Sequence, residues 1–230
     1  MSKVSEPIDD DPARNDATRD TRSAPNDATR EQSSAPADPD LEAAKTQLRR
    51  RIRHARRMAR PSPDRAARVA DAVLNAVDVV ERIQANGAVA VYASLPQEPP
   101  THELRARLRR QSVQVYLPAA LPDRTLTWLL DDGGAATAWG VGARGLPNRP
   151  SVPSSDILAT VGVIVVPALA ATAAGQRLGQ GGGYYDTLLS VRSRLPRGGP
   201  LCVAVVGADE LLAELPVATH DVSVDAVVVA

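Results

Sequence analysis

The 230-residue chain has no phenylalanine, and four tyrosines and two tryptophans supply all its aromatic rings. So thin an aromatic content argues against a protein that reads single strands by stacking bases on a series of rings. Cysteine occurs once, at Cys202, which rules out an intrachain disulfide and leaves nothing to indicate secretion. The three histidines, His54, His102 and His220, lack metal-ligand spacing. No Ser/His/Asp or Cys/His set suggests nucleophilic catalysis. The longest apolar run, VGVIVVPALAATAAG, is interrupted by Pro167 and is too short to span a bilayer. Lysine is nearly missing as well. Two lysines stand against 25 arginines, and with Lys3 near the N-terminus, Lys45 is the single lysine of the remaining chain. The expectation is a cytoplasmic protein with no membrane partner.

Charge is unevenly spread. Residues 1–40 carry ten acidic and five basic side chains, several prolines, and no large apolar group beyond Met1, Val4 and Ile8. They contain a near-duplication, NDATRDTRSAP followed by NDATREQSSAP, in which each copy ends in Ala-Pro and lacks an apolar stripe. With no face to bury, residues 1–40 are expected to form a disordered acidic tail. They also lack the apolar h-region of a secretory signal. Residues 41–230 hold 22 basic and 17 acidic side chains, so the overall neutrality conceals a basic domain behind an acidic leader. A domain of that size can bury roughly 70% of its unfolded surface, enough for a full core.

Periodicity predicts a helix over 41–60, with Leu41, Leu48, Ile52, Ala55 and Ala59 on one stripe and Pro61 closing it. Ser62-Pro63-Asp64 reads as cap, first-turn proline and dipole-favoured acid of a second helix bearing Val69, Val73, Val77 and Val80. GAVAVYASL (87–95) reads as a buried strand, and Thr101 as the cap of a short basic helix. VQVYLP and LTWLL (126–130) read as further strands, and residues 131–156 as loop. VGVIVVPAL (161–169) and LCVAVVGA (201–208) have the continuous apolar character of strands covered on both faces, and DAVVVA adds a last one. YYDTLLSVRSRL supplies a helix between those two central strands. Alternating strands and helices predict an α/β fold, a three-layer sandwich around a mostly parallel sheet.

RLGQGGGYYD (177–186) sets four glycines in five positions after a buried strand and before a helix. Each glycine costs about 0.5–1 kcal/mol relative to alanine once ordered, so a function is needed to offset them. In this setting the backbone amides can converge on an anion at the helix N-terminus, and Arg177 can add a planar fork of donors. Two familiar phosphate loops are excluded. The segment lacks the third small residue of the dinucleotide fingerprint, and a Walker loop needs a lysine where this chain has none.

The basic helix is the second feature. Lys45, Arg49, Arg53 and Arg56 fall on one ridge, in a stretch from Lys45 to Arg60 without an acid. A solvated face, a nucleic-acid backbone binder and a polyphosphate clasp shared with the glycine loop all fit it.

Together the two pieces resemble the 5-formyltetrahydrofolate cyclo-ligase (methenyltetrahydrofolate synthetase) family. The resemblance rests on KTQLR (45–49), VYASLPQEPPT (91–101), RLGQGGGYYD (177–186) and HDVSVD (220–225), whose order and spacing hold over about residues 41–230. It implies conversion of 5-formyltetrahydrofolate to 5,10-methenyltetrahydrofolate with ATP and Mg2+, releasing ADP and phosphate. In that chemistry the formyl oxygen takes the γ-phosphoryl group, and the second folate nitrogen then closes the ring. Lys45 and Arg177 would be the catalytic cations. Lys45, Thr46, Gln47, Leu48, Arg49, Arg177 and the loop Leu178, Gly179, Gln180, Gly181, Gly182, Gly183, Tyr184 and Tyr185 would bind ATP. Ala93 and Glu98, with Gln180, Gly181, Gly182, Gly183 and Tyr184, would bind the folate, and Asp186 and Asp221 would hold Mg2+. ATP and a reduced folate are the expected partners, and a monomer the expected state. Four positions depart from the family pattern: Ala171, Thr172, Asn148 and Thr187. Together with the absence of phenylalanine, they imply a phosphate half that is intact and a folate half that is eroded. Two other readings stay open. One is a nucleotide-binding relative that is inactive or acts on another substrate. The other is a nucleic-acid-binding regulator using the arginine-rich helix 45–60.

Overall fold

Apolar strands that alternate in sequence with helices assemble, in the computed structural model, into one seven-stranded sheet with helices on both faces. The structure describes residues 38–60, 62–134, 150–195, 199–218 and 221–230. The strands are β1 (Ala88–Val91), β2 (Gln114–Ala120), β3 (Leu126–Leu130), β4 (Ser151–Pro153), β5 (Val163–Pro167), β8 (Leu201–Val206) and β9 (Ala226–Val229), in the order β4-β3-β2-β1-β5-β8-β9. A small antiparallel pair, β6 (Ala170–Ala171) and β7 (Arg177–Leu178), lies outside it. β2, β1, β5, β8 and β9 run parallel, and β3 and β4 close one edge antiparallel. This is the mostly parallel three-layer α/β fold that the alternation predicts.

The strand period of two divides the valine-rich strands between two cores. Val163, Val165, Val203 and Val205 face α2 (Arg65–Leu74), α3 (Val79–Asn86) and α4 (His102–Arg110). Ile164, Val166, Cys202, Ala204 and Val206 face α5 (Ser154–Thr160) and α6 (Tyr184–Arg192). Each such buried valine or isoleucine contributes about 1.5–3 kcal/mol, which is why these two runs are the centre of the sheet. α1 (Pro39–Met58) stands on a third, smaller cluster, where Ile52 and Leu48 meet Leu169, Leu178 and Leu215 around the β6–β7 pair.

Several local expectations are corrected. The first helix begins at Pro39 because the Asp38 carboxylate caps it, accepting from Asp40 N at 3.0 Å and Leu41 N at 3.4 Å. Its inward face is not the alanine stripe, since Ala55 and Ala59 are exposed while Lys45, Ile52 and Arg56 are buried. The predicted valine helix is two helices. The chain breaks at Asn75–Asp78, where Asp78 takes φ +62°, and leaves Val77 80% exposed. Ser62 and Pro63 precede α2 rather than cap it. Thr101 does stand at the start of α4, but its hydroxyl donates to Tyr92 O at 2.8 Å, holding the chain as it leaves β1. The segment expected to be loop contains β4 and the start of α5. There Ser154 Oγ donates to Leu126 O at 2.6 Å and accepts from Trp128 Nε1 at 3.0 Å, contacts that no local pattern announces. Asn148 and His220 lie outside the described residues.

Candidate active site

Strand order reverses between β1 and β5, so the loops leaving the C-terminal ends of these strands diverge and open a crevice at the usual binding position of such sheets. A cavity of about 320 Å3 occupies it. One wall is the segment after β1, with Tyr92, Ala93, Leu95 and Glu98. The opposite wall is the glycine loop, from Gly179 to Asp186, with Arg177 behind it. Pro118, Ala119 and Ala120 of β2 and Leu126 of β3 form the floor. These four and Tyr92 were missed by the sequence reading, because small or buried apolar residues at strand ends look like ordinary core.

The loop explains its own composition. Gly181 (φ +97°) and Gly183 (φ +79°) need the left-handed region, and Gly183 is the residue that starts α6. The loop's carbonyls turn toward α1: Arg49 Nε donates to Gly179 O at 3.1 Å, and Arg53 Nη2 to Gln180 O at 2.6 Å. Across a trans peptide the following N–H points the opposite way. The N–H groups of Gln180 and Gly181 therefore face away from α1, and among the described residues no partner takes those of residues 180–183. Unpaired donors at a helix N-terminus, flanked by guanidiniums, are suited to an anion. The flanking is close. A Cβ at Gly179 would lie 2.8 Å from Arg177 Nη1, and one at Gly181 would lie 3.6 Å from the Arg49 guanidinium carbon.

The basic ridge of α1 is an inward face, not a solvated one. Lys45 Nζ donates to Asp221 Oδ2 at 2.7 Å and lies 3.4 Å from Glu42. Arg53 binds Gln180. Arg56 forks onto both oxygens of Glu210 at 2.6 and 2.7 Å and also donates to Ala168 O at 2.7 Å. Thr46 and Gln47 are exposed on the outer side of the same helix, and Leu48 packs in the third cluster. Across the loop, Arg177, its side chain 2% exposed, pairs with Asp186 and donates to Pro167 O at 3.2 Å. Among the described residues its Nε has no partner.

Both expected catalytic cations are thus paired with an expected metal carboxylate, Lys45 with Asp221 and Arg177 with Asp186, whereas Arg49 bonds the loop backbone. Among the described residues no group of three or more His, Cys, Asp or Glu could hold a metal by itself. Of the two expected metal carboxylates Asp186 lines the cavity and Asp221 does not; Mg2+ takes one or two carboxylates together with phosphate oxygens, a demand Asp186 can meet there.

The other half of the cavity is tyrosine-walled and apolar. Glu98 is 6% exposed; its Oε2 accepts from Leu95 N at 2.9 Å and its Oε1 from Gln180 Nε2 at 2.9 Å. Tyr92 donates its hydroxyl to Pro99 O at 2.6 Å, whereas the buried Tyr185 hydroxyl has no partner among the described residues. Burial and the nearby Glu98 push both phenols up, so both remain protonated donors. Burial also pushes the Cys202 thiol up to about 12, which leaves the one cysteine without nucleophilic character. Among the departures from the family pattern, Ala171, Thr172 and Thr187 do not line the cavity. Thr172 instead accepts from Gln176 N at 3.2 Å in the β6–β7 turn, and Thr187 donates to Gly183 O at 3.1 Å.

Comparison with known proteins agrees with this geometry. The model of the 5-formyltetrahydrofolate cyclo-ligase family matches residues 41–230. A 5-formyltetrahydrofolate cyclo-ligase of Mycolicibacterium smegmatis is 35% identical over 140 residues, which cover 59% of this chain and 69% of that protein. A mitochondrial 5-formyltetrahydrofolate cyclo-ligase of Arabidopsis thaliana is 39% identical over 74 residues, 30% of this chain and 27% of that one. Among solved structures, the Aquifex aeolicus 5,10-methenyltetrahydrofolate synthetase superposes with a TM-score of 0.58 at 26% identity, covering 80% of this chain and 89% of that one. The Mycoplasma pneumoniae 5,10-methenyltetrahydrofolate synthetase, at 16% identity, shares the fold with a TM-score of 0.56 over 80% of this chain and 97% of that one.

Proposed function

The chain belongs to the 5-formyltetrahydrofolate cyclo-ligase family, and from that membership we propose that it converts 5-formyltetrahydrofolate to 5,10-methenyltetrahydrofolate with ATP and Mg2+, releasing ADP and phosphate. The observation that carries this reading is that one loop serves two surfaces. Its unpartnered N–H groups suit a polyphosphate, and the same residues wall the cavity opposite Glu98. Phosphoryl transfer asks mainly for in-line positioning and neutralised charge, and needs no nucleophile from the protein.

The amides of residues 180–183 and the first turn of α6 bind the phosphate oxygens, between Arg49 and Arg177. Lys45 and Arg177 exchange Asp221 and Asp186 for phosphate oxygens, one charge-assisted hydrogen bond replacing another. The two released carboxylates would hold Mg2+, which when bound neutralises phosphate charge. The Arg177 Nε–H and the Tyr185 hydroxyl, both without a partner among the described residues, donate to the transferring phosphoryl oxygens as charge shifts onto them. Glu98 accepts from the amino and ring N–H groups of the pterin, and Ala93, Leu95 and Ala119 cover its rings and exclude water. The formyl oxygen attacks the γ-phosphorus and ADP leaves. The second folate nitrogen then attacks the activated formyl carbon and loses its proton, and phosphate departs as the ring closes. The enzyme acts as a cytoplasmic monomer; among the described residues no helix is long and apolar enough to cross a membrane.

A single-turnover reaction of purified protein with ATP, Mg2+ and 5-formyltetrahydrofolate, followed by methenyl absorbance, tests the reading. One ADP and one phosphate should form per methenyl product. Nucleotide binding without that absorbance would select a relative with another substrate. Nucleic-acid binding with a steep salt dependence, indifferent to ATP, would select the regulator.

A further inference from the structure

Arg53 does not line the cavity, yet one side chain, that of Gln180, links it to the carboxylate of Glu98 within it. Its Nε and Nη2 each lie 3.1 Å from Gln180 Oε1, and the same Nη2 lies 2.6 Å from the Gln180 backbone oxygen. The other end of that amide, Nε2, lies 2.9 Å from Glu98 Oε1. The orientation of the amide follows from chemistry. A guanidinium has only donors, so the amide oxygen must face Arg53, and its NH2 group must then face Glu98, which as a carboxylate only accepts. A flipped amide would set NH2 against guanidinium and carbonyl against carboxylate. Leu95 N–H engages the second oxygen of Glu98, so the carboxylate is held at both ends with lone pairs left over for a ligand.

We propose that Arg53 is a positioning residue for the organic substrate: by fixing the Gln180 amide it orients Glu98 to accept from an N–H-bearing ring edge in the cavity. The proposal rests on the cyclo-ligase reading for the identity of that substrate. It separates the Arg53 grip on the Gln180 amide from its neighbours on the α1 ridge: Lys45 and Arg49 serve the polyphosphate, whereas the two Arg53 bonds to Gln180 Oε1 act on the opposite half of the site. The fork matters as much as the charge. A lysine presents a compact ammonium and cannot grip the amide oxygen with two parallel donors.

Binding of 5-formyltetrahydrofolate and of ATP, each measured by titration of the full chain, together with kcat and KM for both, tests the proposal on Arg53→Ala, Arg53→Lys, Gln180→Met and the Arg53→Ala/Gln180→Met double variant. Gln180→Met leaves the Arg53 bond to the loop backbone intact, so it should weaken folate about tenfold, the size of one charge-assisted hydrogen bond, and leave ATP unchanged. Arg53→Ala, which also removes the bond to Gln180 O, should lose at least as much folate affinity, Arg53→Lys should rescue it only partly, and kcat at saturating folate should stay within about threefold of wild type in Gln180→Met, as positioning requires. The double variant should bind folate no worse than Arg53→Ala, because both changes remove the same relay. Additive losses in the double variant, or a loss of ATP affinity in Gln180→Met equal to the folate loss, would overturn the proposal, as would variants that bind folate like wild type. Wild-type protein that binds no reduced folate would overturn the functional reading and the proposal with it, a result distinct from failure of the relay alone.

Discussion

If Lys45 and Arg177 must leave carboxylates to reach phosphate, then replacing those carboxylates should change ATP affinity in opposite directions with and without metal. In the structure Lys45, its side chain 6% exposed, is paired with Asp221 at 2.7 Å, and Asp221 is 22% exposed. A charge-assisted hydrogen bond so enclosed is worth about 1.5–3 kcal/mol. Metal-free ATP forfeits it on binding and gains nothing from the released carboxylate, whose negative charge opposes the phosphates. Asp221→Asn removes both penalties, and its side-chain oxygen can still accept from Ala218 N as Asp221 Oδ2 does at 2.7 Å. We expect metal-free ATP to bind Asp221→Asn about tenfold more tightly than wild type, taking 1.4 kcal/mol per decade. Asp186 is 46% exposed, and solvent screening reduces the value of its pair with Arg177, so Asp186→Asn should gain only about threefold. With excess Mg2+ the sign inverts, and each variant should lose about tenfold because a ligand of the ion has gone. Calorimetric titration in EDTA and in excess Mg2+ reads both conditions on the same protein. Weaker binding in both would mean the aspartates only hold the cations in place. Unchanged affinity in Mg2+ would remove them from the metal site.

Four further outcomes follow from the packing and the charges. Glu210→Ala strands the buried Arg56 guanidinium and should cost about 3 kcal/mol in urea unfolding, whereas Arg56→Met/Glu210→Met should recover most of it; a loss under about 1 kcal/mol in the single variant would refute the pairing. Asp131 is pushed up by burial, but hydrogen bonds from Arg105 and Gly133 and the charges of Arg105 and Arg109 more than offset this, so its folded carboxyl lies below the usual range. Its stabilisation is therefore complete above about pH 4 and lost as pH falls further, and Asp131→Asn should flatten that acid limb in unfolding curves. Gly181→Val should weaken ATP about tenfold without removing a charge, because φ +97° excludes a β-branched residue; equal affinity would mean the loop does not hold phosphate. Removal of residues 1–37, ahead of the Asp38 cap, should leave the melting temperature and both ligand affinities unchanged, since ordering that segment would cost about 1–2 kcal/mol per residue.

The sheet was readable because its signal is local. Runs such as VIVV and VAVV can be covered only on both faces, and the glycine loop between them lines the cavity where the strand order reverses. The break at Asp78 was not readable, since Val77 and Val80 continue the helical spacing and nothing in the pattern says that the chain turns away beneath them. The floor of the cavity escaped for a related reason: Pro118 to Ala120 are distinguished only by where β2 stops. The largest difference concerned the ridge of α1. A run of cations without an acid is ordinarily a solvated face, and what turns this one inward lies far off in sequence, with Asp221 176 residues from Lys45 and Glu210 154 from Arg56.

That inward ridge also explains why the loop is built largely of glycine. A helix face bearing four cations can pack against a domain only where acceptors meet each of them, and two of the four are met by acceptors of the loop itself, Gly179 O and Gln180 O, with the Gln180 amide oxygen beside them. Presenting consecutive carbonyls to one side obliges the chain to present consecutive amides to the other, and turning from there into α6 requires positive φ at Gly181 and Gly183. The arginines that satisfy the carbonyls also raise the positive potential at the amides behind them. An anion bound there therefore profits from the same contacts that hold α1 to the sheet. Stability and phosphate affinity should accordingly rise and fall together at Arg49, where the bond to the loop and the approach to Gly181 belong to one guanidinium.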